Sequence, residues 1–150
     1  MPPADFHTLG WLVLAIPVPM QFVPSVWGWI RGELAAATAS SVLGVTWLAL
    51  ALATITGSVG APGPSKAESL LLFASAAALV VSVATEIVDG KLVTAAVFVV
   101  AACRFALTGV SGVTHAQGWA TTAGIAGFVL AGVAFAAAFF VELRSALSRR

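Results

Sequence analysis

The sequence predicts an all-α fold: a polytopic integral membrane bundle of about five transmembrane helices in one domain, residues 1–150. Three observations carry that prediction. Hydrophobic residues make up 60% of the chain and charged residues only 9%, against roughly 25% charged in a soluble domain. The mean hydropathy is +1.04. The apolar residues gather in runs of about 20, the length that crosses a bilayer as helix. Within those runs the period-two alternation of a membrane barrel strand is absent, and an open sheet edge has no place in lipid. The same composition excludes intrinsic disorder, which needs high charge and low hydrophobicity. Seven Lys and Arg against six Asp and Glu leave a net charge of +1, too little for a nucleic-acid partner.

The first predicted helix covers about 8–30. It carries Pro17, Pro19, Gln21, Pro24 and Ser25, and each proline removes a donor from the helical ladder. It reads either as an ordinary kinked span or as a broken helix whose freed carbonyls face a solute path. Trp11, Trp27 and Trp29 lie toward its ends as interfacial anchors. The chain start lacks the basic stretch of a signal peptide, so this run is expected to be retained. The second helix is expected over 34–55, the third over 68–88, the fourth over 92–110 and the fifth over 119–143. Between the second and third lies a Gly/Pro-rich connector, Gly57–Lys66, and a shorter loop is expected near Ser111–Gln117. The steps Ala120/Gly124 and Ala123/Gly127/Ala131 in the last helix have the spacing of close helix contacts.

Five spans place alternate connectors on opposite sides. One side receives Arg31, Lys91, Arg144, Arg149 and Arg150, the other only Lys66. The excess of cations marks the first side as cytoplasmic. The chain is therefore expected in the cell (inner) membrane, N-terminus outside and C-terminus inside.

Polar residues inside the runs are the candidates for function. Arg104 is the sharpest, an ionised group within the fourth span. Such a group costs about 2.5–3.5 kcal/mol on insertion scales and faces a cavity or a partner. Arg104 is read either as an attraction point for an anion or as a side chain snorkelling to the outer interface. Glu86 and Asp89 precede Lys91; they read as a solvated turn with a loose ion pair, or, for Glu86, as a proton-coupling carboxylate. Gln21, Thr38, Ser40, Ser41 and Thr46 bring polarity to the first two spans. Their hydroxyls either bond back to a carbonyl one turn earlier or, at Thr38, Ser41 and Gly44, line a path along one face. Cys103, alone of its kind, reads as a small buried hydrophobe. The chain has no HExxH, paired-carboxylate or GxxxxGK[ST] motif, so neither catalysis, metal nor cofactor is expected. A Ser111–His115 dyad would need a geometry that their spacing does not specify.

Two blocks carry a resemblance. The first is QFVPSVWGWIRGELAAATASSVLGVTW, from Gln21 to Trp47; the second is GWATTAGIAGFVLAG, from Gly118 to Gly132. The first resembles the second and third helices of the acetate uptake transporters, the YaaH-type acetate/succinate–proton symporters. Its matching positions are Gln21, Arg31, Gly32, Thr38, Ala39, Gly44 and Trp47. The second block is similar to that family's last helix. The family's first helix, with its NPAPLGL signature, has no counterpart here. Gly28 stands where the family has an acidic residue, Glu33 where it has Asn, and Leu43 where it has a tyrosine of its hydrophobic constriction. Removing one helix from a family with both termini inside implies an outside N-terminus, the orientation that the charges indicate.

The resemblance implies a membrane transporter or channel for small organic anions such as acetate, with protons as coupling ion and a homo-oligomer, a hexamer, as the assembly. The substrate path is then expected along Gln21, Thr38, Ser41, Leu43 and Arg104. The alternative is a non-transporting accessory or degenerate membrane subunit, motivated by the missing helix. The charge bias makes the orientation testable. Lys66→Cys, in a Cys103→Ala background, is expected to react with a membrane-impermeant maleimide in intact cells, and Lys91→Cys only after lysis. The reverse pattern would invert the topology.

Overall fold

The computed structural model describes residues 3–57 and 64–148, and among these the chain forms helices and no strand. The helices are α1 (Pro3–Ala15), α2 (Pro17–Arg31), α3 (Leu34–Thr56), α4 (Lys66–Val88), α5 (Leu92–Thr114) and α6 (Gln117–Ser148). Five stretches are long and apolar enough to cross a membrane: His7–Arg31, Leu34–Thr56, Lys66–Val88, Leu92–Thr114 and Gln117–Phe140. The all-α fold class is therefore as expected. Residues 58–63 of the Gly/Pro-rich connector, with Arg149 and Arg150, lie outside the described residues, as do the side chains of Glu142 and Arg144.

The first span is two helical pieces meeting at Ile16. Pro17 and Pro19 have no N–H to donate, so the ladder survives here only through bonds such as Ile16 N–H to the Leu12 carbonyl (3.0 Å) and Met20 N–H to the Ile16 carbonyl (3.2 Å). The later helices outrun their expected ends. α5 continues to Thr114, where His115 takes a left-handed conformation (φ 53°) and its N–H caps the Ser111 carbonyl at 2.9 Å. At α4, Ser65 and Glu68 form a reciprocal capping box, which satisfies two of the N–H groups that a helix start leaves unpaired.

The α2–α3 and α4–α5 turns are built alike. Gly32 (φ 74°) and Gly90 (φ 73°) both occupy the left-handed region. Glu33 N–H bonds the Gly28 carbonyl (2.9 Å) and Lys91 N–H bonds the Glu86 carbonyl (2.8 Å). These are Schellman closures, in which glycine escapes the Cβ penalty. Arg-Gly-Glu-Leu and Asp-Gly-Lys-Leu thus make equivalent hairpins.

Neighbouring helices pack in chain order. α3 touches α1, α2 and α4, while α5 lies between α4 and α6. The core joins Leu72 and Leu79 of α4 to Phe98 and Phe105 of α5, with Ala39, Ala76, Ala101 and Ala102 between them. Lipid supplies no hydrophobic drive for helices to associate, so close packing and polar contacts must do it. Small residues permit the approach. A Cβ on Gly28 would come within 2.9 Å of the Ala37 Cβ, and one on Gly109 within 3.0 Å of the Phe73 ring. Large aliphatic and aromatic side chains such as Met20, Val23, Val80 and Phe128 point outward, as a lipid-facing surface requires.

The Gly28 contact sets the α2–α3 spacing. Gly28→Val is expected to destabilise the bundle by about 1–3 kcal/mol, the range for overpacking, read as a lower midpoint of thermal unfolding in detergent. An unchanged midpoint would mean that α2 and α3 do not meet there.

Candidate functional site

The strongest site candidate lies at mid-depth, where α3, α5 and α6 converge. Because α5 runs to Thr114, Arg104 is roughly 15 Å from that end at about 1.5 Å per residue, deeper than an end at residue 110 would put it. The side chain is half-buried. Its guanidinium lies over the Trp47 ring, 5.2 Å from the centroid. Across from it, Gly127 of α6 leaves the room: a Cβ there would stand 3.0 Å from Nε. The Trp47 ring in turn meets Phe105 edge-on at 6.3 Å. Among the described residues Arg104 has no carboxylate partner. A partly desolvated cation–π contact contributes about 1–2 kcal/mol, which offsets only part of the insertion cost. Helical side chains lean toward the helix N-terminus, away from the Thr114 end, so snorkelling to that side is disfavoured.

A hydroxyl pair occupies the same level. Thr46 and Ser75, both buried, lie 2.7 Å apart across α3 and α4. Each also reaches back one turn, Thr46 to the Val42 carbonyl (2.6 Å) and Ser75 to the Leu71 carbonyl (2.8 Å). Each hydroxyl has one proton, so the cross-helix bond forms only when one of them turns from its carbonyl. A second pair, Ser25 and Ser41, joins α2 to α3 at 2.5 Å, and Ser41 also reaches the Ala37 carbonyl at 2.9 Å.

The residues expected to share one path divide into separate places. Gln21 is half-buried on the α2–α3 seam, its Cβ close to Gly44. Ser41 lies on the same seam, held by Ser25. Thr38 is exposed, so Thr38, Ser41 and Gly44 do not present one inner face. Leu43 packs against the α4–α5 core, away from Gln21. Arg104 belongs to the α3–α5–α6 junction. Two shallow grooves on the α2 surface, at Pro19, Met20, Val23 and Pro24 and at Phe22, Val23, Val26 and Trp27, are apolar and face outward.

Several individual readings change. Cys103 is exposed, not buried, because Ala101, Ala102 and Phe105 take the inner face of α5. Glu86 is not in a solvated turn; it is among the most buried side chains of the described residues. Its carbonyl accepts the Lys91 N–H of the Schellman closure, while Asp89 and Lys91 are exposed. In α6, Ala123 is buried and Gly127 meets Arg104. A Cβ added at Gly124 or Gly132, by contrast, would meet nothing within 4 Å, and Ala120 and Ala131 are exposed. Only one of the two small-residue faces is therefore used within the bundle. The Ser111 hydroxyl donates to the Thr108 carbonyl at 2.8 Å, and His115 is exposed, so the two do not form a dyad. The Thr46–Ser75 bond escaped the sequence because each residue alone looks like an ordinary back-bonding hydroxyl; nothing in one helix announces its partner on another.

No family model, no curated protein and no solved structure matches this chain.

The hydroxyl pair has a measurable consequence. In a double-mutant cycle of Thr46→Val and Ser75→Ala, the unfolding free energies are expected to be non-additive by about 0.6 kcal/mol, and by no more than about 1.7. Strict additivity would mean that the cross-helix bond contributes nothing.

Proposed function

We propose that the protein is a membrane transporter or channel for small organic anions, with acetate as the test solute. One observation carries this reading: Arg104 holds a positive charge at mid-depth with an aromatic ring, and no carboxylate among the described residues, as its partner. An arginine stays protonated in proteins, so the charge is permanent. An anion entering a span loses its hydration, and a fixed cation in a low-dielectric setting offsets that loss. Solute sites of secondary transporters commonly lie near the bilayer midplane, the level of Arg104, Thr46 and Ser75. The resemblance to the acetate uptake transporters supports the same solute class. It also supports a homo-oligomer, a hexamer, and the charge bias supports an outside N-terminus and a cytoplasmic C-terminus in the cell (inner) membrane. In this reading Arg104 attracts the anion; Gln21 and Ser41 lie on the α2–α3 seam apart from the cation, and the exposed Thr38 and the core residue Leu43 are not part of the path.

A second reading, an accessory membrane subunit, is favoured by the open face of α6. Phe128 is 84% exposed, and a Cβ added at Gly124 or Gly132 of the same helix would meet nothing within 4 Å among the described residues. Small residues beside protruding aromatics suit a helix of another chain.

Uptake of labelled acetate into vesicles distinguishes them. Wild-type protein is expected to accumulate label above empty vesicles, and Arg104→Ala to lower the rate about tenfold, the equivalent of about 1.4 kcal/mol. Equal uptake by both would remove Arg104 from the path. No uptake by wild type, with co-purification of a stoichiometric second membrane protein, would favour the subunit.

A further inference from the structure

At the C-terminal end of α4, within electrostatic reach of Glu33 at the start of α3, the bundle encloses an acid that the anion site does not use. Glu86 is 1% exposed, and among the described residues neither of its carboxylate oxygens has a hydrogen-bond partner. The α4–α5 register explains its surroundings. Ser69 faces Gly112 and Phe73 faces Gly109; continued along the antiparallel pair, the same register sets Glu86 opposite Ala95, which is itself buried. Alanine brings the α5 backbone close and offers no polar atom. Ser82, one turn earlier on α4, is buried on the same face.

The charged groups around it come from two places. Asp89 and Lys91 belong to the α4–α5 turn and Glu33 to the start of α3, and all three act on Glu86 electrostatically. All three are exposed. Lys91 meets Glu86 through its backbone, donating N–H to the Glu86 carbonyl at 2.8 Å. Along α5 there is no charged residue between Lys91 and Arg104. On α6 the Glu142 and Arg144 side chains lie outside the described residues.

We propose that Glu86 is a proton-binding site that controls the packing of this end of the bundle. An anionic carboxylate shut away with neither oxygen bonded loses its hydration and gains nothing in exchange. One proton neutralises it without altering its shape. A metal cation instead requires a shell of several oxygens, and among the described residues no group of three or more His, Cys, Asp or Glu is assembled to hold one. When the proton leaves to bulk water, the anion is repelled by Glu33 and Asp89 and drawn toward Lys91. Both Lys91 and water lie outside the packed face, so the α4–α5 contact at Ala95 must open for the charge to reach either. The proposal stands independently of the anion-transport reading, since it requires no solute.

Infrared difference spectroscopy of the full chain in bilayers tests it directly. Wild-type protein is expected to show a carboxylic-acid C=O band that responds to bulk pH and shifts in D2O, and Glu86→Gln is expected to lose that band while the bands of the other acids remain. Amide hydrogen exchange over residues 86–95, corrected for its intrinsic pH dependence, is expected to speed up toward alkaline pH in wild type and not in Glu86→Gln. If Glu86→Gln does not fold, Glu86→Asp, which withdraws the acid by one methylene, is expected to shift the band. Identical carboxylic-acid spectra for wild type and variants would overturn the proton site. A band that is lost alongside exchange that is equally pH-sensitive in both proteins would overturn its control of packing. Absence of acetate uptake would leave both results to be read as before.

Discussion

Along a membrane span there is no water to satisfy a polar group, and most features of this bundle follow from that constraint. The backbone meets it by being helical along the spans, apart from the break at Ile16 in the first. Where the ladder must stop, the chain supplies specific closures: the Ser65–Glu68 capping box and the two glycine turns at Gly32 and Gly90. Side-chain hydroxyls meet it by reaching back one turn, as Thr46, Thr54, Ser75 and Thr108 do. Such bonds silence a polar group locally and leave it free to take a second partner. At Ser25–Ser41 and Thr46–Ser75 that second partner is on another helix, and the local solution becomes a tertiary one.

Two ionisable residues inside the bundle, Arg104 and Glu86, depart from this pattern in different ways. Arg104 is matched by a π face, over Trp47, a weaker partner than a carboxylate and one that leaves the guanidinium donors available. Glu86 has no partner for either oxygen among the described residues. They lie at different depths and on different helices, and the core of Leu72, Leu79, Phe98 and Phe105 packs the same two helices that carry them. Small residues decide how near the neighbouring helices come. Gly127 makes room for the Arg104 side chain, while Ala95, opposite Glu86, closes space around it. The same kind of residue thus opens one site and seals the other.

How much of this was legible beforehand depends on how local the signal is. Four of the five spans could be read from hydropathy, because a run such as Leu92–Val110 is apolar on all sides and bounded by charge or glycine. Their ends were less legible: α5 extends through Ser111 and Thr114, polar residues that a hydropathy reading assigns to a loop but whose hydroxyls bond back into the helix. Arg104 stood out as a charge in an apolar run. Glu86 was less legible: an acid three residues before Asp-Gly-Lys reads as solvated, with proton coupling as the alternative. Its burial depends on the rotation of α4 about its axis, which hydropathy that is nearly uniform around the helix does not encode. For the same reason Thr38 and Ser41, three residues apart, face different surroundings, and Cys103 faces outward.

Composition and run length by themselves determined that this chain is all-helical, how many stretches can span a membrane, and which ends carry the cations. Those properties depend on the sum of residues along a segment and on the hydrogen-bonding demand of the backbone, and both are local. Only the tertiary structure decided which face of each helix turns inward, and with it the pairing of Thr46 with Ser75, the seat of Arg104 between Trp47 and Gly127, and the enclosure of Glu86. In a helix that is apolar on every side, burial no longer selects the inner face. A few small residues and hydroxyls, matched across two helices, select it instead.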